Sequence, residues 1–271
     1  MSANAEASYF MTINNKDRQS VGRVKVFVIN LARRTDRLAE ITAELAPLGI
    51  EFERVVAVDG QDFESPHQYQ GLLSWFFNGF CYMLPGMIAS SLSHQKVWQK
   101  IVDEKMPAAI VLEDDAMVAD FDPRIFAVDL DEAGLDLLRI EVLDYERHLK
   151  AGTLLDREKP LIGRKTYHPV GREYGTCAYL VSYAGAKKLL KVRRPWFHVD
   201  HLGVWSFVVD LRHAILESPM FRQSGSVSSI MASNGSSKHR VPWVGRKIRR
   251  YILWPLIYSY ETARFRKSRK T

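Results

Sequence analysis

A chain of 271 residues is long enough to bury a full core, and 46% apolar with 25% charged residues is ordinary for a globular protein. This composition excludes a disordered, collagen-like or disulfide-built chain. The net charge of +7 is uneven: Lys238 to Thr271 holds 11 Lys and Arg against one acid, a local +10, which leaves the first 237 residues at −3. A mildly acidic body with a basic end argues against a nucleic-acid-binding core and for a tail that meets an anionic surface.

Residues 1–22 are polar, lack the apolar stretch of a signal peptide, and read as a flexible segment. No run approaches the roughly 20 apolar residues that cross a bilayer, so the chain is expected to stay on the side where it is made. Cys81 and Cys177 have neither CxxC spacing nor a histidine at ligand spacing, and they read as small core residues of a reduced compartment.

The first predicted element is a buried strand over Val24 to Leu31. Thr35 offers an N-cap to a helix whose Leu38, Ile41, Leu45 and Leu48 recur at helical spacing until Gly49 stops it. Phe52 to Val58 reads as a second strand, and a β-α-β opening implies parallel pairing in an α/β sheet. Gln61 to Leu84 reads as an irregular aromatic loop. Pro85 opens a helix with Ile88, Leu92, Val97 and Ile101 on its apolar side. Further strands are expected at Ala108 to Leu112, Leu137 to Leu143 and Cys177 to Val181, and a helix at Ala184 to Leu190. The stretch up to Arg172 is polar and poorly patterned. A compositional boundary near Ser233 to Ser237 divides a domain over 23–237 from a tail over 238–271.

Glu113-Asp114-Asp115 closes an apolar strand. Acids leaving a strand's carboxyl end enter the crevice where open α/β sheets bind ligands, and a hard divalent cation relieves their repulsion. The plainer alternative is a solvated acidic turn. Asn30 to Arg37 spans a strand end and a helix start, where Arg33, Arg34 and Arg37 fit either phosphate contacts or a solvated cap. Neither GxGxxG nor GxxxxGK[ST] occurs here. His94 is a catalytic candidate or a satisfied structural group, and Trp98 reads as core packing. In the tail, Arg246 to Tyr258 mixes cations with Trp, Tyr, Leu and Ile, fitting an in-plane membrane anchor or a core-packing helix; Pro255 is expected to interrupt any single helix.

The segments VFVINLARRTDRLAEITAELAPLGI, FERVVAVDG, SLSHQKVWQKIVDEKMPAAIVLEDDA and GTCAYLVSYAGAKKLL, in that order, resemble glycosyltransferase family 25 from about Val24 to about Gln223. The resemblance implies a GT-A type fold, a Rossmann-like mixed sheet flanked by helices. It further implies an inverting transfer of a hexose, galactose first, from a UDP-sugar to a glycan acceptor, with Mn²⁺ or Mg²⁺. By matching motifs, Asn30, Arg33, Arg34, Arg37 and Asp59 are expected near the nucleotide and Glu113, Asp114 and Asp115 at the metal; completion of the metal shell by His198 or His201 is an alternative task for the segment around Asp200. Asp200 is favoured as the base, with Asp136, Glu141 and His94 as the other candidates. Pro219 and Gln223 resemble a late P…Q segment, and Tyr145 to Arg172 matches nothing. A lipid-linked saccharide in lipopolysaccharide or lipooligosaccharide synthesis, at the inner face of the cytoplasmic membrane, is the expected acceptor. UDP-glucose or a UDP-N-acetylhexosamine is the alternative donor, and a glycan-binding or adhesion-type module without turnover is the alternative of another class.

Overall fold

The computed structural model describes residues 24–70, 74–75, 83–141, 148, 150–170, 175–195, 197–224 and 243–268. The apolar run near the amino end forms β1 (Lys25–Asn30), followed by helix α1 (Thr35–Leu45) and strand β2 (Glu53–Val56). Both strands are shorter than their apolar runs. Arg34, not Thr35, occupies the N-cap and makes no side-chain cap bond. Gly49 ends the short 3₁₀ turn after α1 with φ +63, a left-handed conformation that glycine adopts without strain.

Helix α2 (Pro85–Asp103) opens on its proline as expected and leads through a turn to β3 (Ala108–Glu113) and β4 (Ala116–Val118). Strand β5 is only Leu137–Arg139; beyond it Glu141 forms an isolated bridge to Phe221. The polar stretch that shows no pattern in sequence is a hairpin, β6 (Leu154–Leu161) and β7 (Arg164–Pro169), turning through Ile162 and Gly163 at positive φ. Strand β8 (Ala178–Ser182), helix α3 (Tyr183–Leu189), helix α4 (Leu202–Val209), β9 (His213–Leu216) and β10 (Phe221–Gln223) follow.

Eight strands form one sheet in the order β2-β1-β3-β8-β5-β9-β7-β6, and β10 pairs with β4 in a second. Strands β1, β2 and β3 run parallel, as the β-α-β opening predicts, while β8 enters antiparallel between β3 and β5. This is the mixed sheet flanked by helices expected of a GT-A type fold. Successive side chains of a strand point to opposite faces, so two cores result. Phe27, Val111, Tyr179 and Val181 pack with Val97, Trp98 and Ile101 of α2 and with α4. On the other face Val28, Ile110, Leu112 and Leu180 pack with Ile41 and Leu45 of α1.

The expected 237/238 boundary falls outside the described residues, as do residues 1–22 and Cys81. From Trp243 the chain is helical, as α5 (Trp243–Ile248), a π turn (Arg249–Leu253) and α6 (Trp254–Ser268). Pro255 therefore does not break the chain's helical course. It lacks the N–H that an α-helix would donate one turn back, and a wider turn immediately precedes it. Trp254 and Ile257 are buried in the same core as α2 and α4. Arg264 donates to Ser206 Oγ (2.7 Å) and to the carbonyl of Leu211 (2.9 Å), and His168 Nε2 lies 2.9 Å from Glu261. This end of the tail is thus part of the domain's packing.

Candidate active site

The carboxyl ends of β1, β2 and β3 open into a cleft of about 190 Å³, bordered also by α2 and by the loops carrying Thr176 and Asp200. Five carboxylates line it, those of Asp59, Glu113, Asp114, Asp115 and Asp200, together with Arg33 and Arg37. In open α/β sheets this edge is where ligands bind.

Each member of the acidic triplet has a different task. Asp114 faces the β1–α1 turn: Asn30 Nδ2 donates to its Oδ2 (2.8 Å), and Arg37 Nη1 to its Oδ1 (3.1 Å). Asn30 lies buried behind the cleft and also accepts from Arg54 (2.7 Å). With both oxygens engaged, Asp114 ties β3 to the start of α1. Asp115 is buried, with Gln223 Nε2 donating to its Oδ2 (3.0 Å) and the Cys177 thiol 3.7 Å from Oδ1. Burial, and after it the Glu113 carboxylate, push its carboxyl up to about 6. Glu113 Oε1 lies 3.3 Å from His94 Nε2 and 3.0 Å from Thr176 Oγ1.

The Thr176 hydroxyl is also 2.7 Å from Asp200 Oδ1, so its single proton sits between two carboxylates. His198 Nδ1 is 2.9 Å from Asp200 Oδ2. Burial alone would raise the Asp200 carboxyl, but the positive His198 ring and the two hydrogen bonds outweigh it and hold it well below the usual carboxylate range. Gly175 lets this loop pass: its φ is +112, and a Cβ there would collide with Glu141 Oε1. Across the cleft, Asp59 caps a 3₁₀ turn through Gln61 N (3.0 Å) and accepts from Arg33 Nε (2.6 Å). The Arg33 guanidinium, outweighing burial, lowers the Asp59 pKa.

Besides Asn30, four proposed site residues do not line the cleft. Asp136 is fully buried between Lys188 Nζ (2.6 Å) and Arg212 Nη2 (2.9 Å); these partners overcome the burial penalty and keep its pKa low. It holds α3 and β9 to the sheet, and this corrects its proposed role as base. Glu141 lies one layer behind Gly175 beside Arg139 (3.3 Å), and burial pushes it up to about 7. His201 starts α4 with its ring 5.8 Å from Trp254, which places it with the tail and not the metal shell. Arg34 pairs with Asp36 (2.7 Å) at the start of α1, away from the cleft. Thr176 and Gln223 emerge as direct partners of the acids and Tyr179 as a partner of His94; of the three, the sequence motifs single out only Gln223.

Among the described residues no group of three or more His, Cys, Asp or Glu side chains is set to hold a metal ion. The chemistry of the donors nonetheless fits a hard cation bound through one or two carboxylates and completed by ligand phosphates, the usual manner for Mg²⁺. Asp115 and Glu113 present oxygen donors, and Asp115 is a buried acid whose ionisation a cation would favour.

An open mixed sheet with an acid-lined crevice at the ends of its parallel strands defines an α/β ligand-binding protein. The particular family follows from similarity: residues 23–203 match Glycosyltransferase family 25 (LPS biosynthesis protein), and the chain belongs to that family. A glycosyltransferase 25 family member of Aedes aegypti is 31% identical over 196 residues, 69% of this chain and 30% of that one. Procollagen galactosyltransferase 1 of Danio rerio is 26% identical over 195 residues, covering 69% and 31%. A mouse relative named inactive glycosyltransferase 25 family member 3 is 30% identical over 183 residues, covering 65% and 30%. The chain thus spans about a third of the length of these relatives.

Proposed function

We propose that this chain transfers a hexose, galactose first, from a UDP-sugar to a saccharide hydroxyl with inversion, and that UDP-glucose and UDP-N-acetylhexosamines are the competing donors. The observation that carries this reading is the convergence of five carboxylates and two arginines on one cleft at the strand ends. A chain that belongs to a glycosyltransferase family and resembles galactosyltransferases needs such groups for a diphosphate, a cation and a proton acceptor. Release of UDP from UDP-galactose is the test.

Arg33 and Arg37 border the cleft on the side of the β1–α1 turn and orient the nucleotide's phosphates. Asn30 and Asp114 act from behind by fixing Arg37 and the turn. Asp115 and Glu113 would hold Mn²⁺ or Mg²⁺, with Gln223 steadying Asp115. When bound, such a cation neutralises charge that builds on the leaving diphosphate. Asp200, kept ionised by His198 and Thr176, accepts the hydrogen bond and then the proton of the attacking hydroxyl.

The similarity to a mouse relative named inactive favours a second reading, a glycan-binding module that keeps the fold without turnover. UDP release separates the two.

The acceptor is proposed to be lipid-linked, at the inner face of a cytoplasmic membrane. Among the described residues no helix is long and apolar enough to cross a membrane. The outer side of α5–α6 instead exposes Trp243, Val244, Tyr251, Ile252 and Leu256, and Lys247 Nζ sits 3.9 Å from the Trp243 ring centroid. Aromatic and aliphatic side chains interleaved with Arg246, Lys247 and Arg250 suit an anionic bilayer surface. Truncation of the tail would strip Trp254 and Ile257 from the core, so substitution is the sounder test. Trp243→Ser, Tyr251→Ser and Ile252→Ser combined are expected to weaken co-sedimentation with anionic vesicles, and salt to loosen the unaltered protein. Equal sedimentation with neutral and anionic vesicles by both proteins would remove the anchor.

A further inference from the structure

Behind Glu113 a row of hydrogen bonds runs from the core to the cleft. Trp98 Nε1 on α2 is 2.9 Å from the Tyr179 hydroxyl on β8. That hydroxyl is 2.8 Å from His94 Nδ1, and His94 Nε2 is 3.3 Å from Glu113 Oε1. Trp98, Tyr179 and His94 are each 1% exposed, so solvent cannot satisfy a group that the row leaves over.

The direction of every bond follows from which atoms carry protons. Indole nitrogen only donates, so the Tyr179 oxygen accepts from Trp98. The one phenolic proton then has a single partner, His94 Nδ1, which must accept it. An imidazole accepting at Nδ1 carries its proton at Nε2, and that proton points to the Glu113 carboxylate. The reverse tautomer would strand the phenolic proton in the core and set a nitrogen lone pair against a carboxylate oxygen. Burial pushes the Tyr179 phenol far up, so it remains a donor.

We propose that Trp98, Tyr179 and His94 form a one-way hydrogen-bond relay that fixes His94 as the Nε2–H tautomer and makes it a positioning residue for Glu113. Neither ring nitrogen is then available to take a proton from an acceptor, which removes His94 from the candidate bases. The relay also gives Trp98 a task beyond packing. Partners of this kind orient a functional carboxylate, and losing one typically costs about 10–100-fold in activity.

The role of the relay in turnover rests on the transfer reading of the cleft, whereas the tautomer can be tested without turnover. In ¹⁵N-histidine spectra of the full chain, His94 is expected to show a protonated Nε2 and an unprotonated Nδ1. Tyr179→Phe, which removes the donor to Nδ1, is expected to abolish that signature. A protonated Nδ1 in the unaltered protein overturns the relay. In transfer assays at saturating Mn²⁺, His94→Ala should lower kcat/KM for the donor about 10–100-fold. His94→Gln, whose amide can donate from near the Nε2 position, should restore most of the loss. A glutamine variant as slow as the alanine variant, or an alanine variant as fast as the unaltered protein, overturns the positioning role. If the unaltered protein turns over no donor, the transfer reading fails while the spectra still decide the relay.

Discussion

Asp200→Asn is expected to slow the transfer step by roughly two to four orders of magnitude, the scale of losing a general base, while the affinity for UDP-sugar stays unchanged. In the proposed arrangement the donor's phosphates are held by Arg33 and Arg37 on the side of the β1–α1 turn, so the two effects separate. Asparagine keeps the shape and can still accept from Thr176. It loses the charge that faces His198, whose Nδ1 lies 2.9 Å from the Asp200 carboxylate. Single-turnover rates at saturating acceptor, with donor affinity from calorimetry, are the measurement. An unchanged rate would exclude Asp200 as base. Asp136 could not replace it, being buried between Lys188 and Arg212 away from the cleft. A raised acceptor KM with kcat preserved would instead make Asp200 an acceptor-holding residue.

Asp115→Asn is expected to cut transfer by on the order of 100-fold or more, since a cation held at this point would supply several kcal/mol of stabilisation to a leaving phosphate. The same change is expected to raise stability when no metal is present. Burial and then Glu113 raise the Asp115 pKa in the folded chain to about 6 from 3.8. The sign follows directly: the strain is absent below the unfolded pKa, grows as pH rises, and is fully present above about 6. Metal-free Asp115→Asn should therefore melt a few degrees above the unaltered protein at neutral pH, with the difference fading near pH 4. Adding Mn²⁺ should raise the melting temperature of the unaltered protein and leave the variant's unchanged. Equal melting of the two proteins with and without Mn²⁺, together with full activity of the variant, would remove Asp115 as a ligand. Asp114→Asn acts differently, by breaking the Arg37 contact and loosening the β1–α1 turn.

Much of this was legible in the residues. An unbroken apolar run, helical spacing and a glycine stop are local signals, and they mark β1, α1 and the parallel β2. Pro85 marks the start of α2 because proline fits a helix's first turn. The acidic triplet stands out because the strand before it is so apolar. What the sequence hides is pairing over distance. His94 and Tyr179 are 85 residues apart, and they meet only because β8 lies antiparallel against β3. Asp136 looked catalytic by its place beside a predicted strand, yet its charge is met by cations 52 and 76 residues further on. The β6–β7 hairpin went unseen because its outer strand carries exposed charges and Pro160, devices that suit a sheet edge and erase the apolar alternation.

The most direct test of the central claim is UDP release by the purified chain from UDP-galactose, with Mn²⁺ present or chelated, and with or without a saccharide acceptor. A transferase releases UDP in the presence of Mn²⁺, faster when acceptor is added, and stops on chelation. Galactose is the expected donor sugar, and release from UDP-glucose or a UDP-N-acetylhexosamine alone would change the donor and keep the chemistry. No release from any of these donors, by a folded chain that still binds saccharide, would contradict the transferase and leave the binding module.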